Sequence, residues 1–114
     1  TLAERIAALR EPDGLAMSSR NGYLTAEERA RAPALYGILQ AAVEALRAGR
    51  SIPEVEDESR EALRAAGFRP DYVSVRRALD LMEPGAGDRD LLVLAAAYLG
   101  RARLIDNLRV PPAS

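Results

Sequence analysis

Leu91-Leu92-Val93-Leu94-Ala95-Ala96-Ala97-Tyr98-Leu99 is an unbroken apolar run, and its reading decides the fold class. Periodicity does not separate a buried strand from a buried helix here, and three successive alanines favour helix on propensity. The shortness of the run, Gly100 directly after it and the apolar pair Leu104-Ile105 beyond favour one arm of a β-hairpin. Upstream, Tyr72-Val73-Ser74-Val75-Arg76 alternates around β-branched residues, which predicts a strand with Val73 and Val75 turned to the core. Between the two, Asp80 to Asp90 reads as a loop marked by Pro84, Gly85 and Gly87.

Helical patterns fill the first half. Thr25-Ala26-Glu27-Glu28 is a capping box, and Pro33 predicts a break or kink near residues 30–33 because it lacks an N–H and clashes with the preceding turn. Leu35, Ile38, Leu39, Ala42, Val43 and Leu46 then mark one apolar stripe, with Gly49 as the stop. Ser51-Ile52-Pro53-Glu54 is a second capping box; Val55, Ala62, Leu63 and Ala66 are the expected buried face, and Gly67 ends that helix. The acidic group Glu54, Glu56, Asp57 and Glu58 reads as a solvated face complementing the helix dipole rather than a metal site. Residues 1–9 read as a short helix with Leu2, Ile6 and Leu9 on one stripe, and residues 111–114 as a disordered tail. The fold class that follows is α+β, with amphipathic helices packed on a small antiparallel sheet.

A chain of 114 residues is one domain's worth. Sixteen basic against seventeen acidic residues leave a net charge of −1, so no general field favours nucleic acid or an anionic membrane, and any anion site must be local. The arginines 101, 103 and 109 around Asp106 read as exposed or strand-paired, since four tyrosines and one phenylalanine make no stacking platform for RNA. Asp106-Asn107 itself reads as a turn or cross-strand pair. No apolar run approaches the ~20 residues that span a bilayer, and a cytoplasmic location is expected. The start at Thr1 rather than Met is read as a sign of a longer parent protein. Cysteine and histidine are both absent, which removes the usual zinc sites, thiolate nucleophiles and Ser-His-Asp triads. Chemistry left to such a chain works by positioning and charge stabilisation, as in phosphoryl and nucleotidyl transfer.

One stretch has the residues for that. In Arg10-Glu11-Pro12-Asp13-Gly14-Leu15-Ala16-Met17-Ser18-Ser19-Arg20-Asn21, the Pro12-Asp13-Gly14 segment has turn chemistry. Two hydroxyls and a guanidinium then follow side by side at Ser18, Ser19 and Arg20, a donor set suited to phosphate oxygens. Ser-Ser-Arg tripeptides are common, and on the residues alone a plain polar loop before a helix is the better account.

The same string, continued by Gly22-Tyr23-Leu24-Thr25, resembles the segment that opens the C-terminal domain of the pantoate–β-alanine ligases (pantothenate synthetases). The likeness extends through Asp71-Tyr72, Leu81-Met82-Glu83-Pro84 and Ala102-Arg103-Leu104-Ile105-Asp106-Asn107, which is most of the chain. The resemblance implies a three-stranded antiparallel sheet beside helices. It implies part of an enzyme that condenses pantoate with β-alanine through a pantoyl adenylate, consuming ATP and releasing AMP and diphosphate. Its Met-Ser-Ser-Arg run corresponds to the KMSKS loop of class I aminoacyl-tRNA synthetases.

By the same likeness Leu9 and Met17 contact nucleotide through their backbones, Ser18, Ser19 and Arg20 bind phosphate, and Arg20 is the catalytic group. Mg2+ rides on the ATP phosphates and is not bound by this chain. The family's histidine-containing ATP motif, pantoate pocket and main dimer contacts belong to an N-terminal nucleotide-binding domain. Residues 1–9 are then a lead-in from that domain and 10–110 an ATP-lid domain, inactive alone, within a homodimeric enzyme. The lead-in departs from the family, whose members enter the motif from a β-strand ending in a Val-Pro-like element. The alternative is a non-catalytic α+β module that docks on a protein partner through a helix face or a sheet edge.

Overall fold

The structure is a computed structural model that describes residues 1–85 and 87–111, except for the Arg20 side chain. The tail expected at 111–114 thus lies outside the described residues after Pro111. In chain order come α1 (Leu2–Ile6), a 3-10 turn (Ser19–Tyr23), α2 (Ala26–Arg31), α3 (Ala34–Arg47), α4 (Ile52–Ala65), β1 (Arg69–Arg77), β2 (Leu91–Leu99) and β3 (Ala102–Val110). The strands form one antiparallel sheet in the order β1-β2-β3.

The alanine-rich run is the central strand. Its register with β3 runs without a shift from Leu91↔Val110 to Leu99↔Ala102, across a turn in which Gly100 takes a φ of +59°. Strand wins over the helix propensity of alanine because both flanks offer a backbone partner, and a strand buried on both faces needs no polar alternation. Leu91, Val93, Ala95, Ala97 and Leu99 join the core under the helices, whereas Leu92 faces the other way and packs with Ala3 and Ala78. Helix α1 lies on that second face, where Leu2 and Ala3 donate backbone N–H groups to the Leu79 and Ala78 carbonyls at 3.1 and 3.0 Å.

Local signals set the helix ends. Thr25 Oγ1 accepts the Glu28 N–H and the Glu28 carboxylate accepts the Thr25 N–H, at 3.1 and 2.9 Å. Pro33 falls between α2 and α3, as its missing donor requires. At α4 only the serine half of the capping box forms. Ser51 Oγ accepts from Glu54 N–H at 3.4 Å, while the Glu54 carboxylate turns to Arg50 at 2.8 Å. The buried face of α4 is Val55, Ser59 and Leu63; Ala62 is exposed and Ala66 half-buried. A spacing of four aims Ser59 inward between its two apolar neighbours. Leu9 does not extend the α1 stripe, because the helix ends at Ile6 and Leu9 is 76% exposed.

Charged side chains engage both outer strands of the sheet. Glu56 accepts the Val75 N–H of β1 at 2.9 Å, and Arg10 donates to the Asn107 carbonyl of β3 at 2.8 Å. The rest of the acidic face is paired with arginine: Glu54 and Glu58 with Arg50, and Asp57 with Arg60. Among the described residues, no group of three or more acidic, His or Cys side chains is arranged to hold a metal ion. Nor is any described helix long and apolar enough to cross a membrane.

Candidate functional site

Residues 9–17 form a small hairpin. Met17 N–H donates to Leu9 O and Glu11 N–H to Leu15 O, both at 2.7 Å, and Arg10 pairs with Ala16. The tip closes through Gly14 N–H to Glu11 O at 2.9 Å, with Gly14 at a φ of +95°. This is the connection in which a four-residue turn, Glu11 to Gly14, ends in a left-handed glycine, and Pro12 sits where its fixed φ suits such a turn. Asp13 Oδ1 accepts the Leu15 N–H, and both Asp13 oxygens accept from Arg29 of α2, the nearer at 2.7 Å. Those Arg29 donors hold the Asp13 carboxyl below the usual aspartate range and raise the guanidinium in turn.

The hairpin is anchored on three sides. Leu15, only 3% exposed, enters the main core beneath the helices. Arg10 Nη1 donates to Asp106 Oδ2 at 2.7 Å and to Gly14 O at 3.1 Å, and its Nη2 reaches Asn107 O. The guanidinium also stacks 4.0 Å from the centroid of the Tyr36 ring on α3, the same ring that lies against Gly14. Downstream, Asn21 Nδ2 donates to Ala16 O at 3.1 Å and braces the exit, which is the role its position in the loop suggests.

Between these anchors the chain surfaces. Met17, Ser18 and Ser19 are exposed, and Ser19 opens the 3-10 turn that packs on β3. Arg20 has its backbone in that turn; its side chain lies outside what the structure describes. Leu9 stands opposite Met17, with its carbonyl committed to the Met17 N–H. The five expected site residues are therefore brought to one end of one hairpin. A shallow depression of about 440 Å³ flanks its tip between Arg10, Pro12, Tyr36 and Gln40. The larger depression of about 580 Å³ lies elsewhere, between α4 and β1.

Of the two roles open to Asp106 and Asn107, the structure takes the cross-strand one: they lie inside β3 opposite Ala95 and Leu94, and Asp106 is buried at 2% exposure as the counter-ion of Arg10. Asn107 Nδ2 donates to Ile6 O at 2.8 Å, fastening the lead-in as well. Nothing local in the sequence couples Arg10 to residues so distant. Tyr36 was likewise hidden, since it falls outside the apolar stripe of α3.

A family model described as pantoate-beta-alanine ligase matches residues 4–109. The pantothenate synthetase of Thioalkalivibrio sulfidiphilus is 61% identical over 107 residues, and that of Nitrosococcus oceani 58% over 108, covering 91% and 94% of this chain. The crystal structure of pantothenate synthetase from Thermus thermophilus superposes with a TM-score of 0.79 at 42% identity, over 92% of this chain and 38% of that one. A pantoate-beta-alanine ligase from Francisella tularensis, solved in complex with beta-gamma ATP and beta-alanine, gives a TM-score of 0.57 at 25% identity, over 89% of this chain and 30% of that one. The chain spans 37–38% of the length of these two curated relatives. On the match of the family model to nearly its whole length, the chain belongs to the pantoate–β-alanine ligase family.

Proposed function

We propose that this chain is the C-terminal, ATP-lid part of a cytoplasmic, AMP-forming pantoate–β-alanine ligase, and that Met17 to Arg20 hold the ATP phosphates. One observation carries the reading: Met17, Ser18 and Ser19 are consecutive and exposed on a segment whose first flank, Leu15-Ala16, is buried in the body of the domain and whose second, Asn21, is bonded back to Ala16. The nucleotide and β-alanine bound in the Francisella tularensis relative agree with it.

In the first step an oxygen of the pantoate carboxylate attacks the α-phosphorus of ATP, and the bond from that phosphorus to the diphosphate breaks. The carboxylate is already a nucleophile and needs no base, so the protein aligns it and stabilises charge on the leaving diphosphate. The Ser18 and Ser19 hydroxyls and the Arg20 guanidinium donate to those oxygens, and Arg20 gains most as charge develops. Leu9 and Met17 contribute backbone contacts to the nucleotide. In the second step the β-alanine amine attacks the acyl carbon, AMP leaves, and the amine gives up a proton.

Mg2+ arrives with the ATP phosphates as part of the substrate and takes no ligand from this chain. An N-terminal nucleotide-binding domain supplies the rest of the site and the homodimer contact, and without it this chain has no ligase activity. Closure of this domain over ATP completes the site. In the full-length ligase, Arg20→Ala raises the barrier to adenylate formation by roughly 2–4 kcal/mol, the scale of one lost transition-state donor. Pantoate-dependent exchange of labelled diphosphate into ATP reads this step directly. A wild-type exchange rate in Arg20→Ala overturns the assignment.

A further inference from the structure

We propose that Arg10 and Asp106 form a positioning clamp that sets the orientation of Met17, Ser18 and Ser19 from the far strand of the sheet, without either residue touching the nucleotide. The inference rests on the phosphate-loop reading above and adds to it what aims the loop.

The geometry carries it. Arg10 pairs with Ala16, one residue before Met17, so a rotation of the Arg10 backbone is passed to the first loop residue with no slack between. The guanidinium is planar and is held by three acceptors at once: Gly14 O in its own hairpin, and Asp106 Oδ2 and Asn107 O on β3. The Tyr36 ring closes one face. A fork bound in this way resists rotation about every axis, whereas the burial of Leu15 fixes depth but is non-directional. Of the other polar ties, Arg29 to Asp13 is exposed on both sides and constrains little, and Asn21 Nδ2 to Ala16 O joins two ends of the same segment without referring it to the sheet. Asp106 is itself immobilised: its side chain is 1% exposed, and its Oδ1 accepts the Asn107 N–H at 2.7 Å. Both of its oxygens therefore serve as acceptors, a task that an amide cannot repeat.

Two variants separate the clamp from general stability. Asp106→Asn keeps shape but leaves either Arg10 or the Asn107 N–H facing an NH2 group. Arg10→Lys keeps charge but reaches fewer acceptors and loses the planar stack. In this chain, both are expected to speed hydrogen exchange at the loop amides Met17, Asn21 and Leu24 at least tenfold, while Val93 and Ala95 of β2 keep their protection. In the full-length ligase, both lower pantoate-dependent diphosphate exchange by about 100-fold, the cost of an ångström-scale misplacement. Capture of preformed pantoyl adenylate by β-alanine, measured at saturating adenylate, falls far less, because that step does not use the diphosphate donors Ser18 and Ser19. Unchanged loop exchange, or loss of protection in β2 together with the loop, overturns the clamp. Diphosphate exchange that survives Asp106→Asn but falls in Ser18→Ala and Ser19→Ala also overturns the clamp and leaves the phosphate-loop reading standing. Exchange indifferent to the two serine variants sinks the phosphate-loop reading instead, while the amide measurement still decides whether the clamp holds the loop.

Discussion

The Glu56 carboxylate on α4 accepts the Val75 N–H of β1 at 2.9 Å, so an acidic side chain occupies an outer strand of the sheet where another strand would otherwise pair. Edge strands left open invite pairing with a second chain, and an inward-turned charge is one of the ways in which proteins prevent it.

Replacing that acid tests both roles. Glu56→Ala leaves a half-buried N–H without its acceptor and is expected to cost about 1–3 kcal/mol in urea unfolding. The same variant should associate with rising concentration in sedimentation experiments. Glu56→Gln retains an acceptor oxygen and loses less. Equal losses in the two variants, or a strictly monomeric Glu56→Ala, would contradict the edge role.

The two glycines of the loop region respond in opposite ways. A methyl group at Gly14 would overlap the Tyr36 ring, and the φ of +95° is strained for any other residue. Gly14→Ala should therefore cost at least about 1–2 kcal/mol and loosen the Arg10 stack. At Gly22 no atom lies within 4 Å of such a methyl, and Gly22→Ala should be neutral or slightly stabilising. Paired thermal unfolding curves distinguish the sites. A tolerant Gly14 would mean that the hairpin tip does not press on Tyr36.

Acid should be the pH direction that destabilises this fold. Asp90 accepts from Arg109 Nε and Nη2 at 2.9 and 2.6 Å, and those N–H donors hold its carboxyl below the ordinary 3.8. A carboxylate whose folded pKa is depressed adds stability that is complete above its unfolded pKa and is lost as pH falls through the folded one. With no histidine in the chain, no imidazole titrates near neutrality. The melting temperature is expected to hold nearly level around neutral pH and to fall below about pH 4. Asp90→Asn should flatten the acid limb, and added salt should do so partly, because the pair is exposed. An acid limb of unchanged slope in Asp90→Asn would exclude this pair as its source.

How much of this was legible beforehand depends on the range over which each residue acts. Thr25, Glu28, Pro33, Gly49 and Gly67 act within one turn of chain, and each marks the boundary its chemistry predicts. Leu91–Leu99 was ambiguous because hydrophobicity reports burial rather than conformation; its two neighbouring strands decided it. Ser59 was passed over as a polar residue although its spacing from Val55 and Leu63 is that of the buried row. Leu9 was placed on a helical stripe that Arg10 cannot allow to continue, since Arg10 has to turn and pair with Ala16. The order of Met17, Ser18 and Ser19 in the loop was plain to read. What fastens the loop, Asp106 and Tyr36, was not, because a contact across the chain leaves no trace in local composition.

The distance along the chain between Arg10 and Asp106, 96 positions, has a consequence for biosynthesis. The loop leaves the ribosome well before its counter-ion, which emerges only with β3, on the order of ten seconds later at ordinary translation rates. Until then Arg10 has no carboxylate on β3 to hold it. A nascent chain stopped short of Asp106 carries every residue of the loop and lacks its anchor, so the segment proposed to meet ATP is made well before it can be set in place.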